Sequence, residues 1–211
     1  MTSEPRRLFD ADDPDINPYR ILTALVVPRP IAWISTVSAD GVGNLAPHSF
    51  FTVACARPPI VQFTSVGDKD TLRNVRETRE CVINVAPQSL MDDVNASSAR
   101  FDSSVDEAMC LNIAMEPSAK VKPPRVAASP ASIECLFHSN IELGDSTVVF
   151  LDVVAFTVLE SALEDGHPTM DHLQPLSRLG RNEWGLPPEV RALNRPRRPE
   201  DIEQGSAGTS R

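Results

Sequence analysis

From residue 31 onward, apolar residues come in short runs separated by polar breaks, a rhythm that suits strands better than long helices. Residues 31–38, IAWISTVS, are β-branched and aromatic and stop at Ala39-Asp40-Gly41. Asp-Gly is a strong tight-turn signal, so residues 45–55, LAPHSFFTVAC, read as the return strand. Residues 59–65, PIVQFTS, and 80–86, ECVINVA, read as two further strands. Residues 131–160 read as a hairpin in which SIECLFHSNIEL and TVVFLDVVAFTVL meet at Gly144-Asp145-Ser146. Helical spacing is confined to short stretches. Residues 68–78 place Leu72 and Val75 on one face, with Asp68 available as an N-cap, and residues 88–97 read as a second short helix. A short helix also fits within 172–194, interrupted by Pro175, Pro187 and Pro188.

Six or more short strands with a few small helices predict a mainly β protein, an antiparallel barrel with short flanking helices. Neither GxGxxG nor GxxxxGK[ST] occurs, and strands do not alternate regularly with helices, which argues against a doubly wound nucleotide-binding fold. Residues 1–18 form an acidic, proline-containing arm with at most a turn of helix, and 19–194 one domain. Residues 195–211, RPRRPEDIEQGSAGTSR, carry almost no apolar side chains and predict a disordered tail.

The net charge of −9, from 20 basic and 29 acidic residues, argues against a nucleic-acid backbone as partner. No apolar run approaches the roughly 20 residues of a membrane helix. The N-terminus has no apolar signal segment, so the expected location is cytoplasmic. Cys55, Cys81, Cys110 and Cys135 form no CxxC pair. They are expected as free thiols, with Cys55, Cys81 and Cys135 at least half-buried. No metal site is expected, since the histidines of HPTMDH (167–172) have no third ligand near them in sequence. No serine sits in a nucleophile elbow, so a hydrolase triad has no support.

Three segments carry candidate chemistry. In residues 28–51, Ser35 and Thr36 interrupt a strand expected to be buried, and Asn44, His48 and Ser49 add polar groups beside Ala46 and Pro47. Such groups need partners, either a polar planar ligand or the neighbouring backbone. In residues 63–74, a strand end, a glycine and a helix start follow one another, with Ser65, Lys69 and Thr71 alongside. This is either an anion site, against the charges of Asp68 and Asp70, or an ordinary capped helix. In LSRLGRNEWG (176–185), Arg178 and Arg181 flank Gly180 ahead of Trp184, which suits either a phosphate and an aromatic ring or a solvated turn.

Taken together, PRPIAWISTVSADGVGNLAPHSFF, PPIVQFTSVGDKDTLRNVRETRECVINV, NASSARFDSSVDE, VKPPRVAASPASIECLF and SRLGRNEWG run in one order across about residues 17–185. In that order they resemble the flavin reductase-like family of FMN-binding split β-barrels, in its flavoredoxin-like branch. The resemblance implies a Greek-key barrel that forms a homodimer and holds FMN non-covalently near the subunit interface. Ser35, Thr36 and Val37 would contact the flavin edge. Asn44, Ala46, Pro47, His48, Ser49 and Phe50 would line its other side. Ser65, Lys69, Asp70 and Thr71 would frame the phosphate. Asn95 and Arg178 match further family stretches. Trp33 and Trp184 replace a smaller aliphatic residue and a tyrosine common in relatives, departures expected to bear on the substrate side.

The activity so implied is hydride transfer from NAD(P)H to FMN, with the reduced flavin kept bound or passed to a monooxygenase. No catalytic side chain is required by that chemistry. Two alternatives stand beside it: an FMN-binding electron carrier reduced by a redox partner protein, and a non-catalytic barrel that binds another ligand such as haem.

Overall fold

The structure is a computed structural model that describes residues 4–198. Seven strands make its main sheet: β1 (Ala32–Val37), β2 (Gly43–His48), β3 (Phe51–Cys55), β4 (Ile60–Val66), β5 (Glu80–Val85), β6 (Ala131–Leu143) and β7 (Ser146–Val158). They lie in the order β2-β1-β5-β6-β7-β4-β3, with every neighbouring pair antiparallel. The two ends of the sheet are consecutive in the chain, and the sheet rolls up around them into a barrel. The mainly β antiparallel barrel is therefore as expected.

Residues 45–55 are not a single return strand. Pairing with β1 runs from Val37–Gly43 to Ala32–His48 and stops there. The chain bends at Ser49 and Phe50 and continues as β3, at the opposite end of the sheet, against β4. The Thr64 amide donates to the Phe50 carbonyl at 2.8 Å and fixes the bend. Alternation of apolar residues carries no information about a bend that keeps the chain extended. Pro47 is tolerated because β2 is an edge strand, where a missing N–H costs little.

The predicted 131–160 hairpin forms, with Gly144 at φ +59° in its two-residue turn. The first four helices are α1 (Pro18–Leu25), α2 (Asp70–Thr78), α3 (Met91–Ala96) and α4 (Glu107–Cys110). α1 falls where the N-terminal arm was expected to end. Asn17 caps it by accepting from the Arg20 amide at 3.1 Å, with Pro18 at its first position. Asp68 is not the N-cap of α2. Lys69 occupies that position without a side-chain cap, while Asp70 pairs with Arg73 one turn on. Within 172–194 the only helical turn is the end of Met170–Leu173. The chain then forms two-residue strands at Ser177–Arg178 and Trp184–Gly185, the first pairing with Arg29–Pro30. From residue 199 the expected disordered tail lies outside the described residues.

Two apolar clusters explain why successive residues at the start of β1, from Ile31 to Ile34, are all apolar. Ala32 and Ile34 point into the barrel, where they meet Val61, Phe63, Leu72 and Val75. Ile31 and Trp33 point outward against Leu45, Val94, Ala108 and Leu176 in a layer made by α3, α4 and the C-terminal segment. The strand is thus covered on both faces. Trp33 is fully buried and its Nε1 donates to Ser97 Oγ at 2.9 Å, so it belongs to this second core and not to an open substrate face. Cys81 and Cys135 are buried, Cys55 half-buried and Cys110 exposed, and all four are free. No helix among the described residues is long and apolar enough to cross a membrane.

Candidate functional site

A groove of about 580 Å³ lies on the outer side of the barrel. Along β4, Val61, Phe63 and Ser65 point inward and are buried, so the alternating Gln62 and Thr64 face out into this groove. With Ser49, Phe50, Phe51 and Thr52 they form the strand wall. The opposite wall is the end of α1, with Leu22, Thr23 and Val26, and the segment Pro28-Arg29-Pro30. Apolar faces on both walls with a few convergent polar groups are the usual make-up of a small-molecule site. The side chains of Ser49, Thr52, Gln62 and Thr64 make no hydrogen bond within the described residues, so their bonding capacity is open to a ligand.

Arg29 on the second wall is buried, at 8% exposure, and has no carboxylate within ion-pair distance among the described residues. Its Nη1 donates to the Thr23 and Val26 carbonyls and its Nη2 to the Leu179 carbonyl, while Nε has no partner. Burial pulls its pKa below the ordinary value. Arg178 lies directly opposite in the short ladder and packs over Trp184, with 4.9 Å from its guanidinium carbon to the ring centroid.

His48 closes the inner end of β2. It is buried against Phe63, with ring centroids 4.9 Å apart, and its Nε2 has no partner. Burial, reinforced by the nearby Lys69 charge, pushes the imidazole down to about 3, so the ring is neutral at physiological pH. Lys69 itself is exposed on the loop that leads from Thr64 and Ser65 into α2.

The residues singled out from sequence therefore divide into groups. Ser49 and Phe50 line the groove; His48, next to Ser49 in the chain, and Lys69, whose charge acts on His48, are not among its lining residues. Thr36, Asn44 and Thr71 belong to an internal network. Asn44 Nδ2 donates to Thr36 Oγ1 at 3.2 Å and to Thr71 Oγ1 at 3.1 Å, and Asn74 Nδ2 donates to Thr36 Oγ1 at 3.0 Å. Ser35 donates to the Pro124 carbonyl and Ser65 to the Gly67 carbonyl, both from buried positions. Asp70 is held by Arg73, which offsets the negative charge it would present at the start of α2. Val37 opens onto a separate cavity beside Ser38 and Glu77. Ala46 and Pro47 lie half-buried on β2, Asn95 is exposed on α3, and Arg178 stands behind Arg29. Thr23, Arg29, Thr52, Gln62 and Thr64 were not singled out from sequence. The signal for the last three was the polar, outward half of an alternating strand, which by itself reads as plain surface.

Residues 24–176 match the family described as flavin reductase like domain. The chain belongs to the flavin reductase-like family. Among its relatives, an uncharacterized protein of Halalkalibacterium halodurans is 36% identical over 190 residues, covering 84% of this chain and 90% of that one. Nitrilotriacetate monooxygenase component B from Bacillus cereus has the same fold, with a TM-score of 0.83 at 26% identity over 90% of this chain and all of the other. A split barrel domain protein from Shewanella frigidimarina superposes with a TM-score of 0.78 at 19% identity, over 84% of this chain and 91% of that one. The barrel described above is thus the split barrel of this family.

Proposed function

We propose that the protein binds FMN non-covalently in the groove and catalyses hydride transfer to it from NAD(P)H, as a homodimer in the cytoplasm. The observation that carries this reading is the strand wall of the groove: four polar side chains without protein partners among the described residues, next to the Phe50 ring. That combination suits a ring system with an apolar face and a polar edge. FMN, when bound, supplies the ring that accepts the hydride. The protein's part is placement. Phe50 gives an aromatic floor, and Ser49, Gln62 and Thr64 reach the polar edge and ribityl hydroxyls. Lys69, on the loop that follows β4, offers a charge to the phosphate. A neutral His48 beneath this region contributes no charge of its own, so it hydrogen-bonds without adding electrostatic attraction.

The homodimer reading is supported by exposed apolar residues on the long hairpin, among them Ile141, Leu143, Val154 and Phe156, which a second copy would cover. Light scattering on a size-exclusion column measures the mass directly. A partner that takes up reduced flavin is suggested by the monooxygenase component among the structural relatives. The decisive experiment is the visible spectrum of the purified protein with FMN, followed by NADH or NADPH under anaerobic conditions. Flavin binding and bleaching of its absorbance are expected. Absence of FMN binding overturns the whole reading. Bound flavin that neither nucleotide bleaches overturns the reductase step and favours an electron carrier.

A further inference from the structure

The two walls of the groove differ in chemistry. The strand wall is aromatic and neutral-polar, and the α1 wall is aliphatic except for Thr23, whose hydroxyl donates within its own helix, and one guanidinium. Arginine has five N–H donors. In Arg29 three are committed to carbonyl oxygens, two of them near the C-terminal end of α1, which leaves Nε–H and one N–H of Nη2. Carbonyl dipoles soften the cost of a buried cation but do not neutralise it, and among the described residues no carboxylate does so. Arg178 across the ladder adds positive charge behind it. A buried cation with donors to spare, on the wall of an apolar cavity, attracts an oxyanion. The planar guanidinium fork matches a carboxylate in particular.

Apolar surface on the same wall, from Leu22, Val26, Pro28 and Pro30, says what should carry that oxyanion. We infer that Arg29 is the oxyanion anchor of the groove and that the groove accepts a planar, apolar-bodied carboxylate against the α1 wall. This rests on the proposed function in one respect: the strand wall is given to the flavin, so the carboxylate occupies the side facing it. Lys69, the charge assigned to the flavin phosphate, is not among the residues that line the groove around Arg29.

The test uses the full-length protein, with and without FMN, and benzoate as probe against its neutral isostere benzamide. Calorimetric titration is expected to show benzoate binding at least tenfold more tightly than benzamide, with inorganic phosphate competing poorly. R29K keeps the charge but loses the fork, and should reduce the benzoate affinity about tenfold. R29Q should abolish the preference over benzamide, and FMN affinity should stay within threefold in both variants. Equal binding of benzoate and benzamide by the wild-type protein overturns the inference, and this comparison needs no variant to fold. Phosphate competing as well as benzoate, or R29K losing FMN affinity tenfold, assigns Arg29 to a phosphate and also overturns it. If the protein binds no FMN yet still prefers benzoate to benzamide, the anchor stands and the flavin reading fails.

Discussion

Thr36→Val separates a structural role for the internal network from a flavin-binding one. The Thr36 hydroxyl accepts from Asn74 Nδ2 at 3.0 Å and from Asn44 Nδ2 at 3.2 Å, and all three residues are buried. Valine has the same shape and no acceptor. Stranding a buried donor costs about 1–3 kcal/mol. Asn44 keeps Thr71 as a second partner, whereas Asn74 keeps none for that amide nitrogen and already has an unpartnered Oδ1. The sum is about 2–4 kcal/mol, which for a chain of this size lowers Tm by roughly 4–16 °C. Thermal and urea unfolding measure the loss, and flavin-fluorescence titration on the same samples measures FMN affinity. A clear loss of stability is expected, with FMN affinity within threefold of wild type. A variant as stable as wild type that binds FMN tenfold more weakly would refute it and restore Thr36 to the flavin edge.

Three further outcomes are expected from the same geometry. A Cβ on Gly43 would overlap the Asp106 carboxylate, with Cγ at 2.8 Å, so Gly43→Ala should displace the cap that Asp106 places on the Met109 amide and cost about 1–2 kcal/mol in urea unfolding. His48 should stay neutral in NMR titrations down to about pH 4.5. Its folded pKa of about 3 lies below the ordinary 6.5, so the unfolded state binds more protons between those values. Its contribution to stability is therefore complete above 6.5 and declines as pH falls toward 3, by up to about 1.4 kcal/mol per pH unit. A His48 midpoint near 6 would contradict its burial. Native thiol labelling should modify Cys110 quickly and Cys55 more slowly. Cys81 and Cys135 should react only on unfolding, since both are buried and their mutual hydrogen bond, together with burial, pushes the Cys81 thiol well up.

Local pattern was enough for most elements. The Asp40-Gly41 and Gly144-Asp145 turns, the 131–160 hairpin and the strand starting near Ala32 were legible because side-chain period and turn residues are local properties. The order of weak motifs along the chain was enough for the family. Three features were not legible. The bend at Ser49 and Phe50 is set by which strands are left to pair, and that depends on distant β4. The polar residues of β1 and β2 look like ligand contacts in sequence, but burial turned Thr36 and Asn44 toward Thr71 and Asn74 on α2. Thr52, Gln62, Thr64 and Arg29 look like surface in sequence, yet the fold stands α1 opposite β3 and β4 and makes them two walls of one cavity. The sequence by itself determined which residues can sit in a strand and which family the chain resembles. Only the tertiary structure decided which polar groups already have partners and which remain for a ligand, because hydrogen-bond satisfaction depends on residues brought together from far apart in the chain.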